Sequence, residues 1–111
     1  MTLTHDEKII FKDLVKQCGV ANVVSYTHVG RLVGLEGRSP ILHAMLGHIS
    51  DYTDEKHKLL LSVLVVTANE LTPGEGFYKL GEELTGKKVK NKDKFFIDEM
   101  NKCHKFKGWK N

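Results

Sequence analysis

Apolar residues recur with helical spacing at the start of the chain. Ile10 and Leu14, with apolar neighbours, lie on one face of a predicted helix. Thr4 and Glu7 have the spacing of a capping box, in which each side chain bonds the backbone N–H of the other. Gly19 is the expected end of this first helix.

The segment "VVSYTHVGRLVG" predicts a short second helix. Its N-cap is either Ser25 or Thr27, and Gly34 closes it. Gly30 lies inside this helix, where glycine costs about 1 kcal/mol relative to alanine. We therefore expect Gly30 to permit close packing of another helix.

A third helix begins at Ser39 and Pro40, because serine is a good N-cap and proline fits the first turn. Apolar residues between Ile41 and Ile49 form its inward face. The pattern leaves two possible ends, one near Gly47 and one in the Asp51–Tyr52 region.

The longest apolar run, Leu59 to Val66, shows no alternation between apolar and polar positions. Such a run is typical of a strand that is buried on both faces. The polar segment Thr67 to Gly76 contains a Pro-Gly pair, so we expect it to protrude as a wing-like turn. Phe77 and Tyr78 then begin either a second strand or a short helix, which Gly86 ends.

A last helix is predicted from about Lys92 to Cys103, and Trp109 is expected to pack back on the core. At 111 residues the chain fits one domain, 1–111, with a lysine-rich C-terminal helix at about 87–111. The predicted fold is mostly α with a small β element. Its order of elements indicates a winged helix-turn-helix with an added C-terminal helix.

Charge is distributed unevenly along the chain. Residues 1–86 hold 8 Lys/Arg and 11 Asp/Glu, whereas residues 87–111 hold 9 Lys and 3 Asp/Glu. A basic end of this kind suits nucleic acid or an acidic protein surface, and it equally suits a solvated helix that keeps a protein in solution.

Several classes of protein are disfavoured. No apolar run approaches the roughly 18 residues of a membrane helix, and the N-terminus has no secretory pattern. Cys18 and Cys103 are far apart in sequence, without a Cys-x-x-Cys motif. We therefore expect a reduced, cytoplasmic protein without a membrane partner.

The start of the third helix is the first candidate site. Its N–H groups favour phosphate, and arginine adds a bidentate donor. The predicted contacts with double-stranded DNA are Arg31, Arg38, Ser39, His43, Lys87, Lys88 and Lys90. In this hypothesis the third helix approaches the major groove and the lysines bind phosphates.

The wing-like turn lacks the basic residues that would meet phosphates. It carries Glu70 and Glu75 instead, which favours either a plain tight turn or contact with a basic protein partner. The alternative function is therefore a protein-binding module or inhibitor, of the kind that a phage or mobile element encodes.

Catalytic and metal-binding patterns are weak. His43 and His48 are five residues apart, and His48 and His57 are nine apart, which does not match the spacing of zinc ligands on one helix. No nucleophile–histidine arrangement or phosphate-binding glycine loop stands out. We expect no enzyme activity, no metal and no cofactor.

The chain resembles the DNA-binding domain of the O6-alkylguanine-DNA alkyltransferases and the alkyltransferase-like proteins. The resemblance covers about half the chain, and its matching pieces are Ser25–Tyr26, Val29 to Gly34, Leu46–Gly47, Val65–Val66 and Gly74 to Tyr78. Alkyltransferases carry Pro-Cys-His-Arg where this chain reads "LLSVLVV". Without that cysteine, the resemblance implies DNA binding without alkyl transfer.

Overall fold

Within the described part of the chain, five α-helices surround a buried central segment. The computed structural model describes residues 2–109, so Met1, Lys110 and Asn111, the ends of the predicted domain, lie outside it. Its elements are α1 (His5–Gly19), β1 (Val24–Ser25), α2 (Tyr26–Leu32), α3 (Pro40–His57), a 3₁₀ helix (Leu61–Leu64), β2 (Val65–Val66), α4 (Glu75–Thr85) and α5 (Lys92–Lys105). The predicted class, mostly α with a small β element, is confirmed.

The predicted caps begin the helices. The Thr4 hydroxyl accepts from the N–H of Glu7 at 3.2 Å, and the Glu7 carboxylate accepts from the N–H of Thr4 at 2.8 Å. Ser25 caps α2 by accepting from the N–H of His28 at 3.1 Å. Ser39 caps α3, with Pro40 in the first turn. Short side chains thus satisfy N–H groups that have no partner within the helix.

The segment Leu59 to Val66 is buried throughout, as predicted, but most of it is not a strand. Residues 61–64 form the 3₁₀ helix, and only residues 65–66 pair with a strand. Two hydroxyl groups of α3 explain the difference. Thr53 donates to the carbonyl of Leu59 at 2.8 Å, and Ser50 accepts from the N–H of Ser62 at 2.9 Å. These side chains bind backbone groups that would otherwise need a neighbouring strand.

The two strands pair in parallel, with Val24 opposite Val65 and Ser25 opposite Val66. Within residues 2–109 no β-hairpin is present, so the expected wing is not a hairpin. The protruding turn is also shorter than predicted. Gly74 caps α4, Glu75 and Gly76 already belong to that helix, and Pro73 is buried.

Several other expectations are settled by the helix boundaries. Helix α3 continues beyond both predicted ends to His57, and Phe77 lies in a helix rather than a strand.

A Cβ at Gly30 would meet the carbonyl oxygen of Leu35, so the close approach is to the turn after α2 and not to another helix. The Trp109 ring packs edge-on against Phe11 at 5.7 Å, which confirms that it packs back.

The core surrounds the 3₁₀ helix, which is contacted by α1, α3 and α5. Ile10 and Leu14 of α1 and Leu42 and Ile49 of α3 are fully buried there. Among the described residues, no helix is both long enough and apolar enough to cross a bilayer. The side of α2 that is not part of the core borders a groove, together with the first turn of α3.

Candidate nucleic-acid interface

A groove of about 750 Å³ separates α2 and the start of α3 from the loop that follows β2. We call it the arginine groove. Its residues are Ser25, Tyr26, Thr27, Arg31, Leu35, Glu36, Gly37, Arg38, His43, Thr67, Ala68 and Gly74. The lining thus comes from the helix pair with its connecting turn and from the 67–74 loop.

Three of the predicted DNA contacts lie around this groove. Arg31 is in the last turn of α2, Arg38 is just before α3, and His43 is in the first turns of α3. Both arginines are exposed, and within residues 2–109 neither has a carboxylate partner. Ser39 does not line the groove; its hydroxyl caps α3 by accepting from the N–H of Leu42 at 3.4 Å.

Tyr26 is a groove residue that the predicted contacts omit. Its hydroxyl accepts a hydrogen bond of 2.9 Å from the N–H of Gly74, which ties the loop to the first residue of α2. Burial raises the pKa of the Tyr26 phenol, although the bond from Gly74 opposes this shift. The phenol is therefore neutral at ordinary pH and holds the loop as a plain acceptor.

His43 is held in place on two sides. Its ring stacks on Tyr26, and its Nε2–H donates to the carbonyl of Gly37 at 3.0 Å. His28, by contrast, bonds Asp13 at 3.0 Å and is not in the groove. In the described part of the chain, no three His, Cys, Asp or Glu residues cluster as a metal site would require.

The lysines predicted to bind phosphate form a separate surface. Lys87, Lys88 and Lys90 lie between α4 and α5 and line a second depression, which shares no residue with the arginine groove. Neighbouring lysines are paired: Lys92 with Glu75, Lys94 with Asp98 and Lys102 with Glu99, each at 2.7 Å. Within residues 2–109 the predicted three have no such pair, so their charge is available to a ligand.

The two acids of the alternative function are in different situations. Glu75 lies in the first turn of α4, and its carboxylate pairs with Lys92. Glu70 is exposed on the 67–74 loop, where its backbone N–H donates to the Thr67 hydroxyl at 3.3 Å. The structure therefore does not combine them into one unpaired acidic surface.

The two cysteines are buried thiols away from the groove. The Cys18 thiol donates to the carbonyl of Cys103, and the Cys103 thiol donates to the carbonyl of Leu60 at 3.7 Å. Contact with Cys18, together with burial, raises the pKa of the Cys103 thiol. These side chains pack α5 against the core.

No protein-family model, curated protein or solved structure matches the chain significantly. The interpretation of the groove therefore depends on its own chemistry. Its side chains include two guanidinium groups that have no carboxylate partner within residues 2–109, together with a stacked imidazole. One carboxylate, Glu36, carries the opposite charge. This set suits a ligand with several phosphate groups better than a carboxylate or a cation.

Proposed function

We propose that this chain is a cytoplasmic, non-enzymatic protein of winged-helix type that binds double-stranded DNA. The observation that carries the proposal is the pair of unpaired arginines, Arg31 and Arg38, on one wall of an open groove at the start of α3. Arginine is suited to phosphate because its fork of N–H donors matches two phosphate oxygens.

The start of α3 adds to this attraction. A helix N-terminus carries a partial positive charge, and Arg38 and His43 lie within a turn of it. In a helix-turn-helix protein, the first residues of the second helix reach base edges in the major groove. We infer that α2 and α3 have these roles, with Arg38 and His43 nearest the DNA.

Lys87, Lys88 and Lys90 supply the second part of the interface. They are exposed and lie on one connection, so they suit contact with phosphates farther along a duplex. Glu36 and Glu70 oppose phosphate binding. We infer that they limit sequence-independent attraction and make binding depend on the fit of the DNA.

The resemblance to the alkyltransferase domain supports the same proposal. Two of its five matching pieces, Ser25–Tyr26 and Val29 to Gly34, lie in β1, α2 and the start of the following turn, and they contribute Ser25, Tyr26 and Arg31 to the groove. The segment where an alkyltransferase carries its cysteine is here the apolar 3₁₀ helix and β2. We infer that the chain binds DNA without transferring an alkyl group.

A salt-dependent titration of a fluorescent duplex tests the proposal. Each neutralised phosphate adds about 0.9 to the slope of log affinity against log salt. Arg38→Ala should weaken binding by about 1–3 kcal/mol if Arg38 contacts a base. Lys87, Lys88 and Lys90 replaced together by alanine should instead reduce the slope by about one per lysine.

A matched control is Lys12→Ala, because Lys12 is an exposed lysine of α1 that lines neither the arginine groove nor the lysine depression. Its salt slope should stay close to that of the unmodified protein. If the unmodified protein binds no duplex at low salt, where phosphate attraction is strongest, the DNA proposal is wrong.

A protein-binding module or inhibitor is the second candidate, and exposed aliphatic side chains favour it. Ile41 at the start of α3 and Leu71 on the 67–74 loop are each 63% exposed. Leu71, which follows Glu70 on the same loop, suits a partner with a basic, partly apolar surface. This function predicts that Glu70→Lys abolishes the binding of such a partner and leaves the protein folded.

A further inference from the structure

Leu71 has a strained backbone and an exposed side chain. Its φ is +57°, and the side chain is 63% exposed. A positive φ is uncommon for residues other than glycine, and for a bulky aliphatic residue it is a genuine outlier. Exposed leucine in this conformation gains nothing from the core, so its placement points to a role at the surface.

The loop that carries Leu71 is held by its own hydrogen bonds. The N–H of Leu71 donates to the carbonyl of Thr67, and the N–H of Thr67 donates to the carbonyl of Thr72, both at 2.9 Å. At the far end, Pro73 is buried and Gly74 bonds Tyr26. Leu71 is therefore presented from a fixed loop and not from a loose one.

This loop contributes to the lining of the arginine groove. Thr67, Ala68 and Gly74 line the groove, whereas Leu71 stands between them in sequence and does not line it. A DNA strand held by Arg31 and Arg38 would thus contact the loop at Thr67, Ala68 or Gly74, within a few residues of Leu71.

Leucine is one of the side chains that proteins insert between base steps. Such a wedge enters from the minor groove, partly unstacks two base pairs and bends the duplex towards the major groove. We propose that the arginine groove holds one sugar–phosphate strand while Leu71 inserts into an adjacent base step from the minor groove. This inference rests on the proposed function and adds its mode of binding.

The acids near the groove give the wedge a role in selectivity. Glu36 lines the groove and Glu70 precedes Leu71, and both carboxylates repel phosphate. Weaker electrostatic binding leaves affinity more dependent on how easily a base step opens. The preferred ligand is therefore duplex DNA with a weakly stacked step, such as a pyrimidine–purine step or a mismatch.

The test uses the full chain and two duplexes, one fully paired with a central TA step and one with a mismatch at that place. Both carry 2-aminopurine beside the step, which brightens on unstacking, and a donor and acceptor dye at the ends, which report bending. The unmodified protein should brighten the base, shorten the end-to-end distance and prefer the mismatch.

Leu71→Ala keeps the positive φ and removes the wedge. It should bind the paired duplex about tenfold more weakly, without brightening or bending, and lose more affinity on the mismatch, because the wedge opens that step at a lower cost and contributes more to binding there. Leu71→Asn relieves the backbone strain, because asparagine tolerates this conformation, and should give the same loss. Ile97→Ala is the matched control, because Ile97 is an aliphatic residue on α5 that is 54% exposed.

The outcomes separate the wedge from the proposed function. Duplex binding without brightening or bending overturns the wedge and leaves DNA binding in place. Equal brightening by Leu71→Ala also overturns it. Absence of any duplex binding at low salt overturns both proposals, and loss of a protein partner on Leu71→Ala would then support the protein-binding function.

Discussion

The imidazole of His43 lies parallel to the phenol ring of Tyr26, with ring centroids 4.9 Å apart and an interplanar angle of 4°. Tyr26 is the first residue of α2, and His43 lies near the start of α3, so the stack joins the two helices across their connecting turn. Because Tyr26 also accepts from Gly74, one side chain connects the helix pair to the loop. The two walls of the arginine groove are thereby held in a fixed relation.

Tyr26→Phe should separate the loop from the helix pair while keeping the stack. Loss of one hydrogen bond, with the N–H of Gly74 left unpaired, should lower the free energy of unfolding by about 0.5–1.5 kcal/mol. Denaturant unfolding measures this change. His43→Ala, which removes the stack and keeps the hydrogen bond, is the comparison variant.

The pH dependence provides a second measurement on Tyr26. Its pKa is raised in the folded state, so the stability that depends on the neutral phenol is present below the unfolded pKa of about 10 and is lost as pH rises through the folded pKa. Tyr26→Phe should remove this alkaline loss. An unchanged alkaline profile would contradict the role given to the phenol.

Glu7→Gln should remove part of the acid sensitivity of folding. Burial raises the pKa of Glu7, but the bonds from the Thr4 N–H and from His48 Nδ1 at 2.8 Å outweigh burial, and the net pKa is lowered. Stability from Glu7 is therefore present above the unfolded pKa of about 4.3 and is lost as pH falls through the folded pKa.

Unfolding free energies between pH 7 and pH 3 measure this effect. At neutral pH, Glu7→Gln should cost about 1.5–3 kcal/mol, because hydrogen bonds to a charged, buried group are lost. Asp6→Asn is the control, since Asp6 is exposed in the same helical turn. Equal effects of the two substitutions would contradict the special role of Glu7.

Thr53→Val should destabilise the protein although valine has nearly the same shape. The buried Thr53 hydroxyl donates to the carbonyl of Leu59 at 2.8 Å and accepts from the N–H of Leu61 at 3.2 Å. Valine leaves both backbone groups without a partner, which should cost about 1–3 kcal/mol. Thr53→Ser keeps the hydroxyl and should lose less, so a greater loss in the serine variant would refute this explanation.

Glu36→Gln should strengthen binding to duplex DNA. Its carboxylate lines the arginine groove, and removing the charge ends a repulsion between partly exposed charges that is worth up to about 1 kcal/mol. The same titration at low and high salt measures the gain, which should shrink as salt rises. Glu55→Gln, on the C-terminal half of α3, removes an exposed charge that does not line the groove and should change affinity less.

Local features of this fold can be predicted from the sequence, whereas contacts between residues that are far apart in sequence cannot. Thr4, Ser25 and Ser39 cap helices through bonds to residues three positions ahead, so local sequence indicates these caps, although at α2 it also allows Thr27. The apolar run Leu59 to Val66 looks the same whether it becomes a strand or a 3₁₀ helix. The hydroxyls that decide between them belong to α3, and no local pattern connects the two segments.

The same distinction applies to the groove. Arg31 and Arg38 lie on either side of one short turn, so their place in the same groove follows from the short connection between α2 and α3. The other part of the lining, Thr67 to Gly74, reaches the groove through a parallel pair of short strands and the bond from Gly74 to Tyr26. Contacts between residues so far apart in sequence depend on the packing of the whole chain.

The pairing of β1 with β2 connects the two sides of the arginine groove. One side, α2, starts directly after Ser25, and the other side, the 67–74 loop, starts directly after Val66. These two residues face each other in the parallel pair. Backbone pairing therefore joins the two sides of the groove at one end of the loop, and the bond from Gly74 to the Tyr26 hydroxyl joins them at the other. Exchange of the remaining groove side chains would change the ligand preference while both connections keep the opening unchanged.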